Sequence, residues 1–452
     1  MHFSFASVLS QFKRNWTEYL LPETLQRLCR EAGLVWRERV LPPATTIQLM
    51  LVQILHGNCA LAEIPHIANR RFSAAAFCYA RMRIPLIFFE RLVEQLAASL
   101  QEEDFNARRW KGHRVFVCDG SGVSMSDEKE LADYFGYPPT QRPTCGFPGA
   151  KLLFMFHIGS GMITKLLIKP FRAGEISSVS EFHSEMTHGD LLLADRAYCS
   201  YHHFCLIFER GLHALIRMHQ NLIADFTPNR PYFPPGEIPC RLKCPKSRQI
   251  RLLGKTDQLI EWFKSTSRPR WMSKELHRSL PASITVRQLQ YQIEQPGFRT
   301  RSVVILTTLL SSEEYSSSDI AKLYFKRWEI ETNFDHLKTT MKMDVLKART
   351  VDGIKKELLC YVIVYNLVRL VMLKAANSQR VAQREISFAD ALRWLIHSSP
   401  HKKLPPLLLV PCRPGRMEPR TKKRRDKPYP YMIESRATLR NRKTSQHFTG
   451  LS

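Results

Sequence analysis

The chain has 452 residues, with 67 Lys and Arg against 41 Asp and Glu for a net charge of +26, and 44% of its residues are hydrophobic. The hydrophobic content excludes wholesale disorder and the length excludes a small scaffold held by staples. The charge asks for a polyanion: nucleic acid, whose neutralised phosphates release counterions, with an anionic membrane surface as the competitor. Eleven cysteines without regular spacing argue for reduced thiols, and Cys240 and Cys244, the one tight pair, lack two further ligands at zinc spacing. Residues 1–14 have no apolar core of signal-peptide length. The most hydrophobic run, 358–373, is interrupted by Asn366 and Arg369 and falls short of the roughly 20 residues of a membrane span, so a cytoplasmic location is expected.

In chain order, residues 1–109 read as a helical domain. Apolar residues recur at three-to-four spacing over 45–55, 61–68, 73–83 and 86–100, punctuated by Pro22, Pro42, Pro43, Pro65 and Pro85. Segment 61–68, the turn Asn69-Arg70-Arg71-Phe72 and a helix capped by Ser73 suit a helix-turn-helix reader of DNA, although any helical bundle contains such a turn.

Residues 110–220 read as the first part of an α/β core. The apolar run Val115-Phe116-Val117-Cys118 stops at Asp119 and enters Gly120-Ser121-Gly122. Segments 152–158 and 163–168, joined by Gly159-Ser160-Gly161, form an antiparallel hairpin. Leu191-Leu192-Leu193-Ala194 again stops at an acid, Asp195, and a further apolar strand follows at 214–218. Two buried strands thus deliver Asp119 and Asp195 to a sheet rim. Ser121 and Ser124 either orient the first carboxylate or serve as turn residues, and His157, His183 and His188 lack the spacing of metal ligands.

Residues 221–300, polar and proline-rich with strands at 283–287 and 290–294, read as a β-rich insertion. The core resumes over 301–375 with a strand at 302–308 and a long helix over 319–343. Residues 376–452 are a C-terminal helical and basic region, whose segment from His401 carries 14 Lys or Arg against Glu418, Asp426 and Glu434.

At about 100° per residue, with Tyr324 as zero, Arg327 falls near 300°, Lys338 near 320° and Glu331 near 340° on the long helix. They form one stripe beside the apolar stripe of Leu323, Ile330, Phe334 and Leu337. Glu329 faces away, while Asp335, near 20°, also borders the polar stripe. Two strand-end aspartates and a helical glutamate make a hard, oxygen-only donor set suited to Mg²⁺ or Mn²⁺ and to phosphodiester chemistry. Arg327 offers a bidentate fork to phosphate, Lys338 a point charge and Tyr324 a hydrogen bond.

The spacing Tyr324-x-x-Arg327-x-x-x-Glu331-x-x-x-x-x-x-Lys338 resembles the Tyr-Arg-Glu-Lys signature of bacterial insertion-sequence DDE transposases of the IS-four group. Asp119 in VFVCDGSG and Asp195 in LLLADRAYCSY resemble that family's first and second catalytic aspartates. The resemblance spans about 113–369. It implies an RNase H-like catalytic core carrying the β-rich insertion, with Asp119, Asp195 and Glu331 both catalytic and ligands of two Mg²⁺ or Mn²⁺ ions. It also implies Tyr324, Arg327 and Lys338 on DNA phosphates, and double-stranded DNA as partner, as terminal inverted repeats and as target, bound by a homodimer in a synaptic complex. The implied reaction is strand cleavage and strand transfer in cut-and-paste transposition. A non-catalytic basic DNA-binding protein and a metal-dependent nuclease without strand transfer are the alternatives. Family members that form hairpin intermediates stack a flipped base on an aromatic residue of the insertion; Trp262, Trp271 and Phe298 are candidates for that role, each equally readable as a core residue, and hairpin formation stays open.

Overall fold

The computed structural model describes residues 21–37, 39–103 (backbone only for 97–103), 109–138, 145–232, 244–292, 302–397 and 404–410, together with 434, 435, 438, 439, 441 and 442. Phe298, Cys240 and most of the basic tail lie outside the described residues.

The N-terminal part is helical, as its periodicity indicates: α1 (Pro22–Glu31), α2 (Pro43–Leu55), α3 (Ile64–Ala68), α4 (Ala74–Arg83) and α5 (Leu86–Glu103). Proline opens the first turn of α1, α2 and α3, where the missing N–H costs no hydrogen bond. Asn69 ends α3 in the left-handed conformation, at φ 49° and ψ 48°. Ser73 then caps α4, its Oγ accepting from the Ala76 amide at 3.1 Å. Tyr79 and Met82 leave the outer side of α4 in solvent, while Phe77 and Ala80 hold its inner side in the core.

The centre is a nine-stranded mixed sheet. In chain order come β1 (Val115–Ser124), α6 (Lys129–Phe135), β2 (Gly149–His157), β3 (Ile163–Pro170), α7 (Glu175–Ser178) running into a 3₁₀ turn (Val179–Glu185), β4 (Leu191–Ala194), α8 (Tyr201–Glu209) and β5 (His213–Arg217). There follow β6 (Ser247–Gly254), β7 (Asp257–Phe263), α9 (Lys274–Ser279), β8 (Ser283–Gln292) and β9 (Ser302–Thr307). The strand order is β3-β2-β1-β4-β5-β9-β8-β7-β6. Strands β1, β4 and β5 run parallel, and β2 is antiparallel to β1 and to β3. The polar stretch read as an insertion thus builds no sheet of its own: β6, β7 and β8 continue the main sheet through β8 and β9. The two short strands expected at 283–287 and 290–294 are one strand, β8. The helix expected over 319–343 is likewise several pieces: α10 (Ser317–Phe325), a 3₁₀ turn (Lys326–Trp328), α11 (Glu329–Asp335) and a π-helical turn (His336–Thr340). Helices α12 (Val351–Gln379) and α13 (Phe388–His397) complete the core.

Alternation along the strands sorts side chains between two cores. Val115 and Val117 of β1, Leu191 and Leu193 of β4 and Leu215 of β5 pack on the side of α2, α5, α10 and α12. Phe116, Cys118, Leu192, Ala194, Ala214 and Ile216 pack on the side of α8. Helix α12 contains a window apolar and long enough to cross a bilayer, but 94% of that window is buried, as befits the central helix of a core. Just before β1 and β4, the buried pair Arg114 and Asp190 clamps the two strands at their start, Arg114 Nε donating to Asp190 Oδ1 at 2.8 Å. That clamp fixes the parallel register that pairs Cys118 with Ala194.

Candidate active site

Because Cys118 lies opposite Ala194, Asp119 and Asp195 are the next residues on neighbouring strands. Both continue the phase of the residues that face α10 and α12. Strand β1 does not stop at Asp119, as its sequence suggests. It runs on to Ser124 because β2 keeps pairing with it, while β4 ends at Ala194 and leaves that side of Asp119 open. Ser124 turns away from the acids, its Oγ donating to the Asp344 carbonyl at 3.3 Å.

Arg327 stands among these carboxylates. It is 6% exposed, and its Nη1 lies 3.7 Å from Asp119 Oδ2. Burial works to lower the guanidinium pKa, but Tyr324 and the acids Asp195, Asp119 and Glu331 oppose it and leave the pKa above its ordinary value. The guanidinium also stacks over Trp328, at 5.2 Å from the ring centre. Its Nε is buried with no hydrogen-bond partner, so one donor edge is unspent. All three acids singled out in the sequence therefore lie within the electrostatic reach of one arginine. Among the described residues, however, no three His, Cys, Asp or Glu side chains form a closed set of potential metal ligands. Asp195 Oδ1 is buried without a hydrogen-bond partner, an unused lone-pair site of the kind a hard cation takes.

Burial pushes the Asp119 carboxyl up to about 6. The Gly120 amide and Arg327 oppose the rise, and the charges of Asp195 and Glu175 add to it. Lys338, carried on the π-helical turn, donates from Nζ to the Gly122 carbonyl at 2.7 Å and lies 3.6 Å from Asp344. Tyr324 is employed differently from its expected phosphate contact. It is fully buried, and its hydroxyl donates to the Ala194 carbonyl at 3.2 Å, tying α10 to the end of β4 just before Asp195. The 3₁₀ turn that follows shifts the phase between Tyr324 and the residues beyond it, which a uniform helical wheel cannot show.

Two charged neighbours escaped the sequence reading. Arg217 ends β5, and since Ala194 pairs with Ile216 it stands beside Asp195, Nη1 to Oδ1 3.9 Å. Its signal was present, an apolar strand ending in a charged residue just as β1 and β4 supply theirs. Glu175, in the short helix after β3, had no such signal. Of the aromatic residues of the insertion, Trp262 is buried edge-on against Tyr201 and Phe204, and Trp271 is half-buried edge-on to His202.

The sequence signature of the family described as transposase DDE domain matches residues 110–367, which carry every residue of this site. The chain is 23% identical over 441 residues to the transposase InsG for insertion sequence element IS4 of Escherichia coli (strain K12), covering 91% of this chain and 92% of that protein. Among solved structures, a piggyBac transposase synaptic complex with hairpin DNA aligns with 87% of this chain and 80% of its own, at 11% identity and a TM-score of 0.44. A Mos1 transposase paired-end complex aligns with 46% and 76%, at 12% identity and a TM-score of 0.16. With more than half of its length matched by that signature and nearly all of it by the insertion-sequence relative, the chain belongs to the DDE transposases of the IS4 group.

Proposed function

We propose that Asp119, Asp195 and Glu331 hold two divalent cations, Mg²⁺ or Mn²⁺, and that DNA strand cleavage followed by strand transfer of the freed 3′-hydroxyl takes place at the open edge of β1 and β4. The observation that supports this reading is the placement of Asp119 and Asp195 just beyond paired residues of neighbouring parallel strands, with Arg327 3.7 Å from Asp119, at an edge where one strand stops and its neighbour runs on. The strand order β3-β2-β1-β4-β5, with β2 antiparallel to its neighbours, supports an RNase H-like core widened by β9, β8, β7 and β6. The donor set, all oxygen with one carboxylate oxygen enclosed and unspent, fits hard cations. Such ions, when bound, supply activation of the attacking oxygen and stabilisation of the leaving oxygen in an in-line phosphoryl displacement.

The chain's own residues position the strand. Arg327 carries a forked, half-used donor set that suits a phosphate next to the acids. Lys338 adds a point charge along β1, and Tyr324 holds α10 against the strand end. The helix-turn-helix arrangement of α3 and α4, with Tyr79 and Met82 exposed, is the surface we assign to reading duplex DNA, and synapsis of two element ends calls for a homodimer.

The reading is tested with duplexes carrying the inverted repeats that flank the coding region, incubated with Mg²⁺ and a second, labelled duplex. The expected outcome is nicking at the element end and a product in which its 3′-hydroxyl is joined to the second duplex. Nicking without joining assigns the chain to the hydrolytic nucleases, and DNA retention without nicking to the non-catalytic binders. Replacing Lys338 with alanine is expected to weaken binding to all duplexes alike and to lower the slope of log K against log salt by about one. An unchanged slope would confine Lys338 to bracing Gly122 and Asp344.

A further inference from the structure

From the contacts of two neighbouring residues on α12 we infer that Glu357 is a positioning residue, which fixes the span between the DNA-reading helix α4 and the acids of β1 and so decides which phosphate is cut. The inference rests on the proposed assignment of α3 and α4 to duplex DNA and adds to it. Glu357 is 2% exposed, and its carboxylate is shared between two bodies. From the helical domain, Asn58, just past α2, donates from Nδ2 to Oε1 at 2.6 Å. From the chain beyond the π-helical turn, the Lys347 amide donates to Oε1 at 3.0 Å and the Ala348 amide to Oε2 at 2.8 Å. Lys347 closes the ring, since its Nζ donates to the Asn58 carbonyl. Asn58 is itself buried in the left-handed conformation, at φ 54°, so its turn presents amide group and carbonyl in one fixed pose.

Residues 344–348 reach the catalytic strand. Ser124, the last residue of β1, donates its amide to the Asp344 carbonyl at 3.1 Å and accepts from the Leu346 amide at 2.9 Å, a parallel bridge that prolongs the strand carrying Asp119. On the other side Lys356, 3% exposed, donates from Nζ to the Met82 carbonyl at the end of α4, at 3.2 Å, and pairs with Asp352 at 2.5 Å. A cavity of about 480 Å³ lies between Arg81 and Met82 of α4 and Thr350, Gly353 and Lys356 at the start of α12, so polar contacts rather than close packing set the approach of α4 here. Burial pushes the Glu357 carboxyl up, and the Lys347 and Ala348 amides, Arg81 of α4 and Asn58 oppose the rise, so both bodies act on one charge. A buried carboxylate contributes little stability over an apolar residue of its shape, and packing alone gives no reason for one. Fully satisfied, it makes a rigid joint with a single geometry.

The test is cleavage of an end-labelled duplex carrying the element's inverted repeat, with Mg²⁺, by the unsubstituted full chain and by Glu357→Gln, Lys347→Ala and Tyr79→Ala, with cut positions read to single nucleotides and duplex affinity measured alongside. Glu357→Gln keeps the shape but turns an amide group toward partners that themselves donate. Lys347→Ala removes one link at an exposed position and carries the test should the Gln variant fail to fold. In both, cutting at the parental phosphate is expected to fall by up to about 10²-fold, with cuts reappearing at neighbouring phosphates while duplex affinity holds. A merely structural role would lower every cut together and leave their positions unchanged. That pattern, or parental cutting by both variants, overturns the inference, and the α4 assignment survives it if Tyr79→Ala, at a residue 67% exposed on α4, weakens duplex binding. If Tyr79→Ala leaves binding unchanged, the α4 assignment falls and the inference with it; a parent that cuts nowhere removes the cleavage reading and the inference alike.

Discussion

Replacing Asp119 with asparagine is expected to abolish strand cleavage, by at least about 10²–10³-fold, while making the free protein more stable at neutral pH. The side chain keeps its size and loses the charge that the proposed cation site calls for. The same charge is a burden on the unliganded fold, because burial lifts the carboxyl from 3.8 to about 6. A carboxyl raised on folding contributes stability that is fully present below pH 3.8 and is lost as the pH climbs to about 6. At about 1.4 kcal/mol per pH unit, that loss is on the order of 2–3 kcal/mol by pH 7, and asparagine escapes it. Urea unfolding from pH 4 to pH 7 should therefore show the gap between variant and parent opening with rising pH. Glu331→Gln should share the loss of cleavage with duplex binding retained. Cleavage at the parental rate in either variant would remove that residue from the site, and a gap that closes toward pH 7 would contradict the burial of Asp119.

That Asp119 and Asp195 follow two neighbouring strands was legible in the sequence for a simple reason. A run of four apolar residues that ends in an aspartate has a buried strand as its natural reading, and parallel pairing brings two such ends together once Arg114 and Asp190 fix the register. The signature residues were legible as a pattern but not as a surface. Nothing local announces that Lys326–Trp328 tightens to 3₁₀ geometry or that His336–Thr340 loosens to π geometry; across these breaks Tyr324 lies buried in α10 while Lys338 reaches the backbone of β1. The extension of the main sheet by β6, β7 and β8 was invisible because strand pairing between residues such as Gln288 and Leu306 is decided by long-range packing, whereas alternation reports only which face is buried. Glu175 was invisible because its place beside β1 depends on a missing side chain: a Cβ on Gly120 would lie 2.9 Å from its Oε1, and an absent side chain leaves no periodicity behind.

Removing the Arg287 guanidinium is expected to cost about 3–5 kcal/mol of folding stability. Arg287, on β8, is 0% exposed and pairs with Asp257 at the start of β7, Nε to Oδ1 2.8 Å. Its remaining donors serve the carbonyls of Ser311, at 3.2 Å, and Tyr315, at 2.6 Å. In Arg287→Met the Asp257 carboxylate stays buried without its partner and two carbonyls lose their donor, a larger penalty than the pair itself is worth. Part of the loss should return in the double variant Arg287→Met with Asp257→Leu, since a buried pair replaced on both sides no longer leaves a charge stranded. The consequence should reach the chemistry, because the loop from Ser311 to Tyr315 leads directly into the cap of α10, where the Ser316 hydroxyl accepts from the Asp319 amide at 3.1 Å. If that loop slackens, Tyr324 and Arg327 lose their fixed approach to β4 and Asp119, and a misplacement of even an ångström costs catalysis heavily. Denaturant unfolding of the single and double variants checks the stability. A single-variant loss under about 1 kcal/mol would show that the pair does not anchor the loop.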